Sequence, residues 1–448
     1  ASMRYDGSDN FPKDHRWGTF YSGSIGWSLA DEAFMETIRE KHIFDMLKIR
    51  ASYGQVGLDN WGNDGDTYHI GRFAYLTSYG LGGQEYVMNG EYVPGFWEGS
   101  LPSPDLTWFT TDQFDAGFDF SSLNNRLYGS FDYFYYATKG FLYAPDALDV
   151  GYTDPLGVSL PKISTDGEHR RAGVEFQLGW RDDIGDFHYD VAFNFTKFDE
   201  LWANNPSESL ENKKNPYKRT TQQRGYAGVY YENMGFYKDA NDVYNSVQRT
   251  GSHSLTAGDL KYYDFNGDGV IDGADQHRLG KSSFPRANYG LNINLSYKGF
   301  SFSTLFQGAT RFDMYLGSVL MMSDANTGSS PTYEFQTDYW TPENTDAKFP
   351  RLLSSTGNNG SNNTVGSDFW LINGGYLRMR DIQVGYDFKR ILLKKTSWIT
   401  RLNVALSGQN IFTISEATKY GIDPENGSAN RYDYPNERVF AINFGIGF

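Results

Sequence analysis

Apolar and polar residues alternate in a series of short segments along this chain, separated by stretches rich in Gly, Asn, Asp and Ser. A strand sends successive side chains to opposite faces, so a period of two predicts strands with one apolar and one polar face. Over 17–29, Tyr21, Gly23, Ile25 and Trp27 oppose Ser22, Ser24 and Gly26; over 44–57, Leu47, Ile49, Ala51 and Tyr53 oppose Lys48, Arg50 and Ser52. Phe114, Ala116, Phe118 and Phe120 oppose Gln113, Asp115, Gly117 and Asp119 in 106–121, and Phe131, Tyr133 and Tyr135 oppose Ser130 and Asp132 in 126–142. The same holds for Val174 to Trp180 within 170–182, Phe187 to Phe195 within 186–199, Tyr289 to Tyr297, and Phe300 to Phe306. Segments 376–390 and 400–413 follow, and in the last segment Phe440, Ile442, Phe444, Ile446 and Phe448 share one face.

With a fragmentary first segment at 1–6, this pattern predicts about twelve strands. Their connections fall into two alternating sets. Short ones lie near 30–43, 122–125, 182–186, 298–299 and 391–399, and long ones near 7–16, 58–105, 144–168, 200–283, 314–375 and 414–436. An up-and-down barrel puts odd and even connections on opposite sides of a membrane, short turns on one side and long loops on the other. A soluble sandwich or propeller also alternates, but nothing in it sorts connection lengths this way. The fold class predicted is all-β, an antiparallel transmembrane β-barrel.

Composition changes this picture little. The chain has 448 residues, 17% of them aromatic, and its formal net charge is −15. No apolar run approaches the ~18–20 residues of a membrane helix, and a barrel escapes such a scan because its polar face dilutes the signal. The acidic balance argues against nucleic acid as a partner. The absence of cysteine excludes disulfides and thiolate chemistry.

One local motif is sharp: Asp264-Phe265-Asn266-Gly267-Asp268-Gly269-Val270-Ile271-Asp272-Gly273-Ala274-Asp275. It matches the calcium-loop template, with oxygen donors Asp264, Asn266 and Asp268 at positions 1, 3 and 5, Gly at 6, the Val270 carbonyl at 7, and Asp272 and Asp275 at 9 and 12. Asp275 stands where Glu is usual, and its shorter reach weakens a bidentate contact. A structural calcium ion in an extracellular loop is the expectation; an ion-free Asp/Gly turn is the alternative.

Catalytic constellations are absent. The seven histidines show no His-Glu-x-x-His spacing, and Gly280-Lys281-Ser282 lacks the glycine five residues earlier that a phosphate loop needs, because Asp275 stands there. No Gly-x-Ser-x-Gly elbow occurs, so no enzyme is expected. The loop aromatics Trp61, Trp97, Trp108, Trp340 and Trp370 suit either ligand stacking or plain packing.

Several runs resemble the SusC/RagA family of TonB-dependent outer-membrane transporters. They are Arg4-Tyr5-Asp6-Gly7-Ser8, Leu47-Lys48-Ile49-Arg50-Ala51-Ser52-Tyr53-Gly54, Gly258-Asp259-Leu260-Lys261-Tyr262-Tyr263-Asp264 continuing through the Asp/Gly motif, Leu279-Gly280-Lys281, Tyr376-Leu377-Arg378-Met379-Arg380-Asp381 and Gly408-Gln409-Asn410-Ile411-Phe412. The resemblance implies a barrel of about 22 strands, of which this chain is the C-terminal part. It also implies a plug domain and TonB box that are absent here, a SusD-like lipoprotein lid, energy coupling through the TonB system, and uptake of glycans or peptides through the outer membrane. The chain's partners would then be that lid, the N-terminal barrel and plug portion, and outer-membrane lipid. Lys48, Arg50, Asp115, Asp119, Asp132, Glu175, His188 and Asp190 would face the lumen; the substrate-binding residues stay unknown. Three other readings stay open: a scaffold subunit of an outer-membrane assembly or secretion complex, a stand-alone twelve-stranded pore, and a secreted calcium-dependent glycan-binding β-protein.

Overall fold

A computed structural model of the chain describes residues 1–60, 71–99, 101–143, 161, 163–317, 333–353, 356–391, 393–426 and 436–448. Strands are numbered along the chain. The first are β1 (Ser2–Gly7), β2 (Trp17–Ser28) and β3 (Met46–Leu58), followed by a hairpin of β4 (Tyr79–Met88) and β5 (Glu91–Glu98). Next come β6 (Phe109–Ser122), β7 (Leu127–Tyr143), β8 (Ile163–Ile184) and β9 (Phe187–Asn204). Four short strands, β10 (Gly228–Tyr230), β11 (Asn233–Phe236), β12 (Leu260–Tyr262) and β13 (His277–Leu279), precede β14 (Ala287–Tyr297) and β15 (Phe300–Thr310). The last are β16 (Asp313–Tyr315), β17 (Leu371–Asn373), β18 (Tyr376–Asp387), β19 (Arg401–Ser415) and β20 (Val439–Gly447).

Twelve of these form one sheet in the order β1-β2-β3-β6-β7-β8-β9-β14-β15-β18-β19-β20. Once the short loop strands are set aside, every neighbour in the sheet is a neighbour along the chain, which is the up-and-down order expected from the sequence. The recorded registers are antiparallel, from Ser2 opposite Ser22 to Arg401 opposite Gly447. Lys298 and Gly299 take positive φ in the two-residue turn between β14 and β15, the backbone that a tight hairpin demands. β1 pairs only with β2 and β20 only with β19 among the described residues.

The long connections are not bare loops. The stretch expected as a loop at 58–105 carries the β4–β5 hairpin, and the later ones carry the paired short strands β10–β13, β11–β12 and β16–β17. The short connection 30–43 contains a one-turn helix, Glu36–Glu40. β8 and β9 also run beyond the alternating stretches 170–182 and 186–199. Alternation marks only the part of a strand whose two faces meet different surroundings, so strand ends that project past that zone carry no such signal.

By contacts the chain divides into two compact units, one of residues 1–123, 130–175 and 198–224 and the other of 124–129, 176–197 and 225–448. Within the main sheet of each, large apolar side chains stand in the open. The apolar face of the sheet is exposed: Ile25 is 73% accessible in the first unit, and Leu406 is 57% and Ile442 60% accessible in the second. On the charged face of the first unit Arg50, Asp115 and Asp119 are half-buried and Asp132 is 16% accessible. From Tyr289 to Tyr297 the apolar face of β14 spans eight residue steps, or ~26 Å along the strand, which a tilt of about 40° brings near the apolar band of a membrane barrel. Aromatic rings gather at the short-turn end of that face, Trp27 in the first unit and Tyr189, Tyr297, Phe300, Tyr386 and Trp398 in the second, as at a membrane interface.

Leu291→Arg, at the middle of the apolar face of β14, is expected to cost ~2–4 kcal/mol in lipid. Asn292→Arg, on the other face, is expected to cost under ~1 kcal/mol, because solvent and polar groups remain available there. Urea unfolding of the protein in vesicles measures both; equal costs would show that the faces are misassigned.

Candidate functional site

The polar face of the first unit is organised around one guanidinium. β3, β6 and β7 bring Arg50 against Asp132 at 2.5 Å, Asp119 at 3.2 Å and Asp115 at 3.3 Å. Gly117 makes this approach possible: a Cβ there would lie 2.1 Å from the Asp132 carboxylate and 2.3 Å from the Phe131 carbonyl. Three carboxylates on one arginine leave this wall locally acidic. Lys48 lies opposite Asp119 in the register and is exposed.

In the second unit, Tyr128 donates its hydroxyl to Asp190 at 2.8 Å, and His188 Nδ1 lies 2.5 Å from Asp183. Both belong to the polar face, where Arg181, Asp183, His188 and Asp190 line a cavity of about 440 Å³ with Ser301, Ser303 and Gln383. The sequence-predicted lumen residues thus fall into separate local groups: Arg50 with its three aspartates, and His188 and Asp190 each with a partner of its own. Glu175 belongs to the first unit, on the polar parity of β8, and has interactions of its own.

A second polar constellation, not singled out from the sequence, surrounds Arg378 on β18. This side chain is 2% accessible and reaches Asp423 and Glu425 at 2.6 Å each, while its Nε donates to Thr413 Oγ1 at 2.8 Å. Arg380 meets the same Glu425 at 3.0 Å, and Tyr376 donates its hydroxyl to the other oxygen of Glu425 at 3.1 Å. Three alternate residues of one strand therefore hold the segment after β19 as a strap. Burial would raise the Asp423 carboxyl, but the Glu425 N–H and the Arg378 guanidinium outweigh it and hold the group below the usual carboxylate range.

The connections of the second unit build a core of their own from Trp370, Leu260, Tyr262, Ile271, Phe312, Met314 and Phe349. Its polar centre is Asp259, fully buried, gripped in two-pronged fashion by Arg351 at 2.9 and 3.0 Å and by the side-chain amides of Asn359 and Asn363 at 3.1 and 2.9 Å. Gly258 holds φ +86° with the Trp340 ring against it, where a Cβ would come within 2.4 Å. Burial pushes the Tyr237 and Tyr315 hydroxyls up to about 12, a sign of how dry this layer is.

The Asp/Gly loop is anchored to that layer by Ile271, 1% accessible. Asp264 accepts from the N–H groups of Gly267 and Gly269 at 2.8 and 2.9 Å. Asp268 accepts from Val270 N–H and Asp272 from Ala274 N–H. Asp275 is fully buried and accepts from the N–H groups of Phe265, Asn266 and Asp272 at 2.9, 3.2 and 2.8 Å. The donors are oxygens suited to a hard cation, but among the described residues no three His, Cys, Asp or Glu side chains converge as a metal-binding group. Asp275 acts as the clasp that closes the loop from beneath. Of the tryptophans in the connections, Trp370 is core, Trp108 packs on Phe11 and Phe20, Trp340 covers Gly258, and Trp97 is 43% accessible; Trp61 lies outside the described residues.

Residues 1–306 match the family model described as TonB dependent receptor-like, beta-barrel. TonB-dependent receptor P3 of Formosa agariphila is 27% identical over all of this chain and 43% of its own length. TonB-dependent receptor SusC of Bacteroides thetaiotaomicron is 27% identical over all of this chain and 42% of its own length. The RagAB peptide transporter superposes with a TM-score of 0.72 at 19% identity, and the RagAB peptide importer in its open-open state with 0.74 at 19%. Each match covers the whole chain and 45% or 44% of the other, and it shows the fold. The chain spans less than half the length of the curated relatives it matches. These matches bear out the SusC/RagA resemblance and the barrel fold class.

Arg378→Gln is expected to free the strap at neutral pH, seen as new protease cleavage between residues 416 and 426. In the unsubstituted protein the depressed Asp423 contributes stability that is present above its unfolded pKa of ~3.9 and is lost as pH falls through the lower folded value. Strap cleavage is therefore expected to rise only in strong acid; a strap that opens between pH 6 and 5 would contradict this account.

Proposed function

We propose, from the premise that this chain belongs to the TonB-dependent receptor β-barrel family, that it forms part of the wall and extracellular vestibule of a SusC-like nutrient transporter in the outer membrane. The observation that carries this reading is the exposed apolar face of the strands, Ile25 in the first unit and Leu406 and Ile442 in the second, while Arg50 and its aspartates line the other face of the first unit. A face of that kind is stable against lipid and not against water. Energy enters through a plug and the TonB system, a SusD-like lipoprotein closes the extracellular side, and the cargo is a glycan or peptide too large for diffusion. The chain performs no catalysis; its polar wall hydrates the passage and supports the plug.

The test uses the complete protein in its host. It is expected in the outer-membrane fraction, with heat-modifiable migration, and deleting its TonB box is expected to abolish uptake of labelled oligosaccharide or oligopeptide while leaving surface binding intact. Uptake that survives the deletion would remove energised transport and leave the scaffold role. Recovery as a soluble monomer without detergent would remove the membrane reading altogether.

We also propose that the 264–275 loop takes a structural calcium ion. The support is the oxygen-donor spacing of Asp264, Asn266, Asp268, the Val270 carbonyl and Asp272, with Asp275 as position 12. Binding would have to draw together carboxylates that do not converge without the ion. Calcium is expected to slow proteolysis of this loop in the unsubstituted protein and to have no effect in Asp264→Ala/Asp268→Ala. Equal metal content and protease resistance in the two proteins would reject the ion.

A further inference from the structure

On the apolar face of the first unit, the long-connection end carries a charged patch that the polar wall does not use. Lys139 of β7 and Asp112 of β6 share the parity of the exposed apolar residues Tyr133 and Phe114, so they point to the same side of the sheet. Lys139 Nζ bonds Asp112 at 2.8 Å, and Arg170 of β8 grips Glu168 through two nitrogens at 2.8 and 3.2 Å. The two pairs are electrostatic neighbours, Lys139 lying in the field of Glu168. Asp112 is held in place by Gln55 and Tyr53 of β3 at 3.0 and 3.1 Å.

The pairs are not symmetric in exposure. The Lys139 and Arg170 side chains are 49% and 46% accessible, whereas Asp112 and Glu168 are 18% and 19% accessible. The carboxylates are recessed and the cations stand over them, so a patch with no net charge shows a cationic surface. Charged groups are expensive in hydrocarbon, so the patch marks the level at which lipid tails give way to headgroups. Below it the Phe114 and Tyr133 rings, 6.5 Å apart, offer an apolar surface to an acyl chain.

We propose that Lys139 and Arg170 receive a phosphoryl group of a lipid in the leaflet that faces the long connections, with the acyl chains lying along Phe114 and Tyr133. Lysine supplies a point charge and arginine a planar fork, a pairing suited to phosphate oxygens. The aromatic floor distinguishes a phosphorylated lipid from free phosphate, which would gain nothing from it. The inference rests on the membrane reading above.

Native mass spectrometry of the intact transporter in phosphatidylcholine nanodiscs tests it, with bis-phosphorylated lipid A, its dephosphorylated form and inorganic phosphate as probes. The unsubstituted protein is expected to retain the phosphorylated lipid on the order of tenfold over the dephosphorylated one, and millimolar inorganic phosphate is expected not to displace it. Lys139→Gln/Arg170→Gln is expected to lose the preference. A preference missing from the unsubstituted protein, one that survives the double substitution, or one that inorganic phosphate abolishes would each overturn the site. The comparison of two lipids on the unsubstituted protein stands even where the double variant fails to fold. Heat-modifiable migration in the same discs separates the outcomes: an inserted barrel with no lipid preference defeats this site alone, and a protein that never inserts defeats the membrane reading.

Discussion

A strand has two faces, and in this chain the large apolar residues occupy the one that the fold leaves exposed. The constraint comes from the backbone: every N–H and C=O in a lipid phase needs a partner within the protein, which a ladder of neighbouring antiparallel strands supplies. Once the ladder satisfies the main chain, the side chains divide by medium. In the first unit, Ile25 and Tyr53 can stand exposed on one face because lipid accepts them, and Arg50 can stand among three aspartates on the other because water and paired charge surround it. Exchange of the two sets by a register slip of one residue would place charge in hydrocarbon along a whole strand. Alternation and register therefore enforce each other.

That coupling explains how much of the fold was legible. The number of strands in the main sheet, their order and the turns at 122–125, 182–186 and 298–299 follow from alternation and turn residues alone, since a strand facing two media writes its period into the sequence. The hairpin β4–β5 and the paired short strands of the connections were not legible. The short strands have only three or four residues each, too few for a period of two to stand out, and most described side chains of β4 and β5 are exposed. The candidate site shows the same division. The lumen side of Arg50, Asp115, Asp119 and Asp132 was readable from parity, but that all three aspartates close on one arginine depends on register and on the space left by Gly117. Asp259 and Arg351 are 92 positions apart, and the strap on Arg378 joins residues 45 to 47 positions apart. Pairings of that separation leave no local trace.

The Asp/Gly loop shows the limit of reading ligands from a template. Its spacing gives oxygen donors at alternate positions, but a short polar side chain near a backbone N–H is equally a turn-former. Asp264, Asp268, Asp272 and Asp275 all act in that second capacity here. The two uses are compatible in principle, because a carboxylate oxygen that accepts one N–H keeps another lone pair. Asp275 differs from the rest: three N–H donors and full burial commit it to the backbone, which is why it reads as a clasp.

Several residues that carry the family resemblance have a common physical role. Gly258 gives way to Trp340, Asp259 holds the loop layer through Arg351, and Tyr376, Arg378 and Arg380 converge on Glu425. Each fixes a long connection against a strand or against another connection. A motif made of such residues reports that the loops are held in a defined arrangement, and it is silent about what they hold. Such clamps resist change: altering an exposed loop side chain costs little, whereas removing one partner of a buried ion pair such as Arg378–Asp423 costs ~3–5 kcal/mol.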